Sequence, residues 1–199
     1  MIQIGEKAPS FNAQAYFNGT FTNVRLENYK GKWVYLFFYG GDFTFVWASE
    51  VAAVAANIKE FEELGVQVLS CSVDSVYTHK VWNDQELSKM AGNTPFPMMS
   101  DQNGEIGKMY GVYDEQSGVS LRGTFIIDPE GILQSLEILS MPIGRNVFEG
   151  IRQIKAGQMV RNSKGKEVAP AVWDTGKKTI KPRPELVGNV WQEWNVNDI

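Results

Sequence analysis

The chain has 199 residues, 43% of them hydrophobic, with 19 Lys and Arg against 23 Asp and Glu, a formal net charge of -4 and a pI near 5.1. This length and apolar share suit one compact catalytic-type domain with an arm, and the acidic balance excludes a nucleic-acid footprint, which needs clustered Lys and Arg on one face. No run approaches the ~18 apolar residues of a membrane span, and the start Met-Ile-Gln-Ile-Gly lacks the basic and apolar regions of a signal peptide, so a cytoplasmic protein without membrane contact is expected.

The amino-terminal stretch Phe11 to Arg25 reads as a hairpin, because Asn18-Gly19 supplies the positive φ angles of a tight turn between aromatic and β-branched residues. Trp33 to Phe38 is a continuous apolar run that suits a strand buried on both faces. Ser49 to Leu64 has helical spacing, with Val51, Val54, Ala55, Ile58 and Phe61 on one face, Ser49 as N-cap and Gly65 as the stop. A strand over Val66 to Val73 completes a βαβ unit with an expected right-handed crossover.

A second helix is predicted from near Tyr77 to about Met90, followed by the loop Asn93-Thr94-Pro95-Phe96-Pro97. Strands at Thr124 to Asp128 and Ile132 to Ile138 flank the turn Pro129-Glu130-Gly131. Asn146 and Glu149 have capping-box spacing ahead of a helix whose apolar face would hold Val147, Phe148, Ile151, Ile154 and Met159. Pattern alone gives an α/β sandwich. From Arg161 onward the residues turn to Lys, Gly, Pro and Trp without helical spacing, yet Trp173, Leu186, Val187, Val190, Trp191 and Trp194 make this arm too apolar to hang free.

One cysteine, Cys71, excludes an intrachain disulfide and any multi-thiolate zinc site, and one histidine, His79, leaves little else for a soft metal. No metal and no cofactor are expected. Cys71 lies within an apolar strand and reads as a core thiol; His79 reads as a surface or interface imidazole without a catalytic role.

The segment Tyr39-Gly40-Gly41-Asp42-Phe43-Thr44-Phe45-Val46-Trp47-Ala48-Ser49-Glu50 resembles the active-site loop of peroxiredoxins, in which Tyr-Pro-x-Asp-Phe-Thr-Phe-Val-Cys-Pro-x-Glu is usual. The likeness extends through Cys71 to Ser75, Thr78-His79-Lys80-x-Trp82, Leu121 to Asp128, Ile143 to Asn146 and Glu167-Val168-Ala169-Pro170-Ala171-x-Trp173. It is nearest to two-cysteine peroxiredoxins of the alkyl hydroperoxide reductase C type. The resemblance implies a thioredoxin-like fold, with a central mixed sheet flanked by helices in residues 1–160 and an irregular C-terminal arm, 161–199, that packs on a partner subunit. It further implies a homodimer arranged as a decamer with contacts near Asp42, Phe43 and Thr78, fed with electrons by a flavin- or thioredoxin-type disulfide reductase.

By the same resemblance, Trp47 stands where the family keeps the cysteine that attacks peroxide, and Ala169 where it keeps the resolving cysteine. Thr44 matches the threonine that hydrogen-bonds peroxide and thiolate, and Arg122 the arginine that polarises the peroxide oxygens; read without the family, they are a backbone-bonding hydroxyl and a guanidinium paired to an acid such as Glu50. Glu50 also matches a family position, and Arg145 is expected in the same polar network. An indole has no nucleophilic sulfur and a methyl cannot close a disulfide, so the chain is expected to be inactive although the family reduces hydrogen peroxide and alkyl hydroperoxides.

Two origins fit these substitutions: deliberate removal of both thiols, and a natural non-enzymatic relative that serves as an oligomeric scaffold or holdase. A binding protein that keeps only the anion pocket is a third reading. Gly40 and Ala48 replace the two usual prolines, which predicts a mobile loop. The volume of an indole then predicts displacement or unwinding of residues 45–50 in preference to a stack on Arg122.

Overall fold

In the computed structural model, which describes residues 2–198, Asn18 and Gly19 take φ angles of 47° and 79° and join β1 (Asn12–Phe17) to β2 (Thr20–Arg25). After β3 (Trp33–Phe38) come α1 (Phe45–Ala56) and α2 (Ile58–Glu63), then β4 (Val66–Ser72). The single helix expected over 49–64 is therefore two, interrupted at Asn57, whose side-chain amide donates to the Ala53 carbonyl at 2.8 Å. Helix α3 (Val76–Trp82) passes through a π turn, Asn83–Leu87, into α4 (Ser88–Ala91).

Next are β5 (Met98–Ser100), α5 (Glu105–Met109), the short pair β6 (Tyr113–Asp114) and β7 (Val119–Ser120), β8 (Arg122–Ile127), β9 (Leu133–Leu139) and α6 (Val147–Asn162). Seven strands form one mixed sheet in the order β2-β1-β5-β4-β3-β8-β9. β3 pairs in parallel with β4 and β4 with β5, while β8 runs antiparallel to β3 and to β9. Helix α2 packs on β4 and α3 on β1 and β5, which gives the expected thioredoxin-like arrangement of a mixed sheet flanked by helices.

Every residue of β3 is buried, and the period of two divides its side chains between two cores. Val34, Leu36 and Phe38 join Leu69, Cys71, Met99, Phe125 and Tyr110 on one face. On the other, Tyr35 meets Phe61 at 4.9 Å between ring centroids, Phe37 meets Phe96 at 5.7 Å, and Tyr39, just past the strand, meets Trp82 at 5.7 Å. The loop that follows β3 thus leaves from a strand buried along its whole length.

Two compact units are distinguished, one running to Val147 and the other from Phe148 onward. Within the second, Val168 bridges Ile180, and Trp173 is buried, its indole N–H donating to the Lys177 carbonyl at 3.1 Å while its own carbonyl accepts from Arg152 Nη1 at 2.9 Å. Ile151 and Ile154 of α6 are buried as expected, but Phe148 is 66% exposed and does not belong to their face. Among the described residues no helix is long and apolar enough to cross a membrane.

Candidate active site

The loop after β3 descends through Gly40 and Gly41 to Phe43, whose φ of 57° places a bulky residue in the left-handed region. Such strain persists only where surrounding contacts fix it, and here they are internal. The backbone N–H of Asp42 donates to Asp74 Oδ2 at 2.9 Å, and the Asp42 carboxylate accepts from the Tyr39 hydroxyl at 2.8 Å and pairs with His79 Nδ1 at 2.8 Å. Burial pushes the Asp42 carboxyl above its ordinary value, and the hydrogen bond and charge of His79 draw it back. His79 is fully buried, which corrects the expectation of a surface or interface imidazole: its second nitrogen lies 3.2 Å from the Met99 carbonyl.

Thr44 has extended φ and ψ of -115° and 151° and precedes α1, so the helix begins four residues earlier than the expected start at Ser49. Its hydroxyl donates to the Gly41 carbonyl at 2.7 Å, and Ser49 Oγ donates to the Val46 carbonyl at 2.6 Å, so Ser49 is not the cap. Trp47 is consequently the third residue of α1, in the first turn, where unpaired backbone amides and the macrodipole favour an anion.

The indole of Trp47 is 6% exposed and lies over the guanidinium of Arg122, with Cζ 3.7 Å from the ring centroid. This overturns the expectation of a displaced or unwound loop: the helix is continuous from Phe45 and the stack forms. The reason lies at Gly40, where an added Cβ would come within 3.2 Å of the indole, so the missing side chain supplies the room that the ring needs. A cation-π contact away from water adds about 2 kcal/mol in favour of the stacked arrangement.

Beneath the ring, two guanidiniums share one carboxylate. Glu50 Oε1 accepts from Arg122 Nε at 2.5 Å and from the backbone N–H of Arg145 at 2.7 Å, and Oε2 lies 3.7 Å from Arg145 Nη2. Arg122 Nη1 donates to the carbonyls of Ser140 and Met141 at 2.9 and 2.6 Å; Arg145 Nη2 donates to the Phe38 carbonyl at 2.7 Å, and its Cζ lies 4.7 Å over the Phe37 ring. Burial draws the Arg145 guanidinium down from its ordinary value, with the Glu50 charge acting against that. Even so, Arg122 Nη2, Arg145 Nε and Nη1, and on the acceptor side Glu50 Oε2, are buried with no hydrogen-bond partner among the described residues.

Unmatched buried donors are rare and call for a missing partner. Indole cannot be that partner, since it offers an N–H and no acceptor. Trp47, Glu50, Arg122 and Arg145 are therefore brought together with a net positive charge beside the first turn of α1, suited to an anion or to negative charge developing on oxygen, while Thr44 precedes that turn with its hydroxyl on Gly41. Of the other expected positions, Asp42 is committed inward, Phe43 is 49% exposed with its ring 6.3 Å from Trp82, and Thr78 binds the Ser75 hydroxyl at 2.8 Å. Ala169 lies in the second unit, half-buried beside the Val168 bridge. Sequence reasoning missed Tyr39, His79 and the carbonyls of Ser140 and Met141; the Tyr-x-x-Asp spacing ahead of the helix was the one available signal for the first of these.

Cys71 is fully buried in β4, and burial, then the Asp101 charge, push its thiol well above its ordinary value. It is no substitute nucleophile, since the thiolate is the reactive form.

The profile of the AhpC/TSA family matches residues 4–136. The chain is 58% identical over 199 residues to a selenocysteine-containing peroxiredoxin, PrxU, of Peptoclostridium acidaminophilum, covering 100% of this chain and 98% of that protein. It is 44% identical over 184 residues to a thioredoxin peroxidase of Trypanosoma brucei rhodesiense, covering 92% of each. Among solved structures, the reduced 2-Cys peroxiredoxin of Plasmodium vivax superposes with a TM-score of 0.86 at 40% identity over 92% of this chain and 94% of that one. AhpC of Enterococcus faecalis gives 0.78 at 40% identity over 85% and 100%.

Proposed function

The chain belongs to the AhpC/TSA family, the peroxiredoxins, and from that premise we propose that its pocket is built to reduce hydrogen peroxide and alkyl hydroperoxides through a sulfur or selenium atom at position 47, a reaction the chain with Trp47 and Ala169 does not perform. The carrying observation is the Arg122 guanidinium stacked on the indole, with its Nη2 buried and without an acceptor. In the active form, the deprotonated side chain at 47 attacks one peroxide oxygen, the O–O bond breaks, and the leaving oxygen departs as water or an alcohol after taking a proton. The attacking atom is oxidised to its hydroxylated form and the peroxide is reduced. Arg122, held on Glu50 and two carbonyls, supplies a fixed positive charge for the departing oxygen.

Trp47→Cys tests this reading. Peroxide should be consumed once per chain, about one equivalent, and Ala169→Cys in addition should give turnover through an intersubunit disulfide, with the unaltered chain at background. Peroxide consumption by the unaltered chain at enzyme rates, or no gain in Trp47→Cys, would overturn it.

The further parts of the proposal concern assembly. Strand β9 ends the sheet and exposes Leu136 and Ile138, an edge suited to pairing with a second copy in a homodimer. Phe21, Phe43 and Tyr77 are 50, 49 and 69% exposed, which suits the joining of dimers into a decamer. In this reading residues 1–160 form the catalytic-type domain, the arm 161–199 lies on a partner subunit, and electrons come from a flavin- or thioredoxin-type disulfide reductase in the cytoplasm.

A non-enzymatic scaffold is the second reading, and one observation favours it: Gly40 fits the indole as if the two residues had been selected together. Prevention of client aggregation at ratios near one decamer per client, by the chain with Trp47 and not by Trp47→Cys, would support it.

A further inference from the structure

Position 47 holds a residue that leaves the pocket's donors unanswered, and the choice of tryptophan is itself informative. We propose that codon 47 is UGA and that the working protein carries selenocysteine there, tryptophan being the product of reading that codon without selenocysteine insertion. The inference rests on the proposed peroxide-reducing role of position 47 and says which atom performs it.

Three observations carry it. Glu50 of α1 lies between two buried guanidiniums, a net positive charge, and one of them, Arg122, lies against the side chain of residue 47 with its Nη2 buried and lacking an acceptor. A selenolate on the Cβ of residue 47 supplies the acceptor and the charge that indole does not, and a selenol is more acidic than a thiol, so it is the anion that forms most readily there. Second, the relative that is 58% identical over the full length of this chain is a selenocysteine-containing peroxiredoxin. Third, the tryptophan codon UGG differs from UGA only in its last base, and tryptophan is the residue inserted when UGA is read by a near-cognate transfer RNA.

The rest of the chain fixes how such an enzyme would turn over. Ala169 provides no second thiol, and Cys71 is fully buried, so no group in the described residues can displace the oxidised selenium. Resolution then comes from two equivalents of an external thiol. The selenolate and a proton reduce the peroxide, giving selenenic acid and an alcohol or water. A first thiol forms a selenium–sulfur bond and releases water, and a second displaces it, giving a disulfide and returning the selenolate and a proton.

The test begins with the codon. UGA at position 47, followed by the RNA hairpin that directs selenocysteine insertion, is the expected result. When the natural gene is expressed in a selenocysteine-inserting host with selenite, mass spectrometry of the peptide spanning residues 45–50 should show selenium, and the side chain should alkylate well below about pH 8.5, where an ordinary thiol ionises. UGG at codon 47 overturns the inference, and so does UGA with tryptophan still present in the peptide from that host. Failure here is separable from failure of the proposed function: UGG with peroxide reduction gained in Trp47→Cys would leave the function standing and remove selenium alone.

Discussion

Asp42 and His79, separated by 37 positions in the chain, meet at 2.8 Å with neither side chain exposed to solvent. The pair ties the active-site loop to α3, and through the second imidazole nitrogen to the Met99 carbonyl of β5. A buried pair broken on one side leaves an uncompensated polar group, which costs about 3–5 kcal/mol. His79→Ala and Asp42→Ala should each lose that much stability in urea titrations, and the double variant should lose less than the sum, with a coupling of about 0.5–3 kcal/mol. Strict additivity would show that the loop is held elsewhere.

Glu50 is the shared counter-charge of two guanidiniums, so its removal should be more damaging than the loss of a single salt bridge. Glu50→Ala leaves Arg122 and Arg145 buried with no carboxylate beside them and should cost about 3–5 kcal/mol. Glu50→Gln keeps an acceptor for the Arg122 and Arg145 N–H groups and should cost less. Chemical denaturation of the two variants side by side checks the order, and equal stabilities would mean that the retained acceptor is of no consequence and that the lost charge carries the whole cost.

Gly40 and Trp47 should be coupled through volume. Gly40→Ala places a methyl within 3.2 Å of the indole and should cost about 1–3 kcal/mol, whereas in a Trp47→Ala background the same change should be near neutral. Thermal unfolding of the four chains measures this. A Gly40→Ala penalty that is the same in both backgrounds would place its cause in the backbone.

Cys71, Tyr35, Tyr39 and Tyr110 are all buried, and desolvation is the leading cause that raises each above its ordinary value of 9.0 for the thiol and 10.0 for the phenols. The folded protein keeps these protons where the unfolded chain has lost them. Their stabilisation is therefore whole below about pH 9 for Cys71 and about pH 10 for the tyrosines, and declines as pH rises further, by about 1.4 kcal/mol per pH unit for each group. Denaturation midpoints should fall steeply above that range, and Cys71 should react with iodoacetamide only as the protein unfolds. Rapid labelling of the native thiol at neutral pH would contradict both expectations.

Much of this was legible in the sequence where one local rule acted alone. Asn18-Gly19 specified its turn, and the unbroken run from Trp33 to Phe38 specified a strand buried on both sides. Errors arose where two residues distant in the chain decide the outcome. Gly40 and Ala48, read by themselves, suggest a slack loop; set opposite Trp47, Gly40 provides the space that holds the ring and the helix in place. His79 looks like a surface residue until Asp42, Tyr39 and Met99 are seen to enclose it. The pairing of Arg122 with Glu50 could be inferred from chemistry, but its anchoring on Ser140 and Met141 depends on where the chain passes after β9.

That anchoring has an evolutionary consequence. The charges of the pocket are fastened to Glu50 and to the carbonyls of Phe38, Ser140 and Met141, none of which belongs to residue 47. A lineage can therefore exchange sulfur, selenium or an aromatic ring at that one position, by changes confined to the third base of a codon, while inheriting the electrostatics intact. Loss of catalysis in such a protein is reversible by descent in a way that loss of Arg122 or Glu50 would not be.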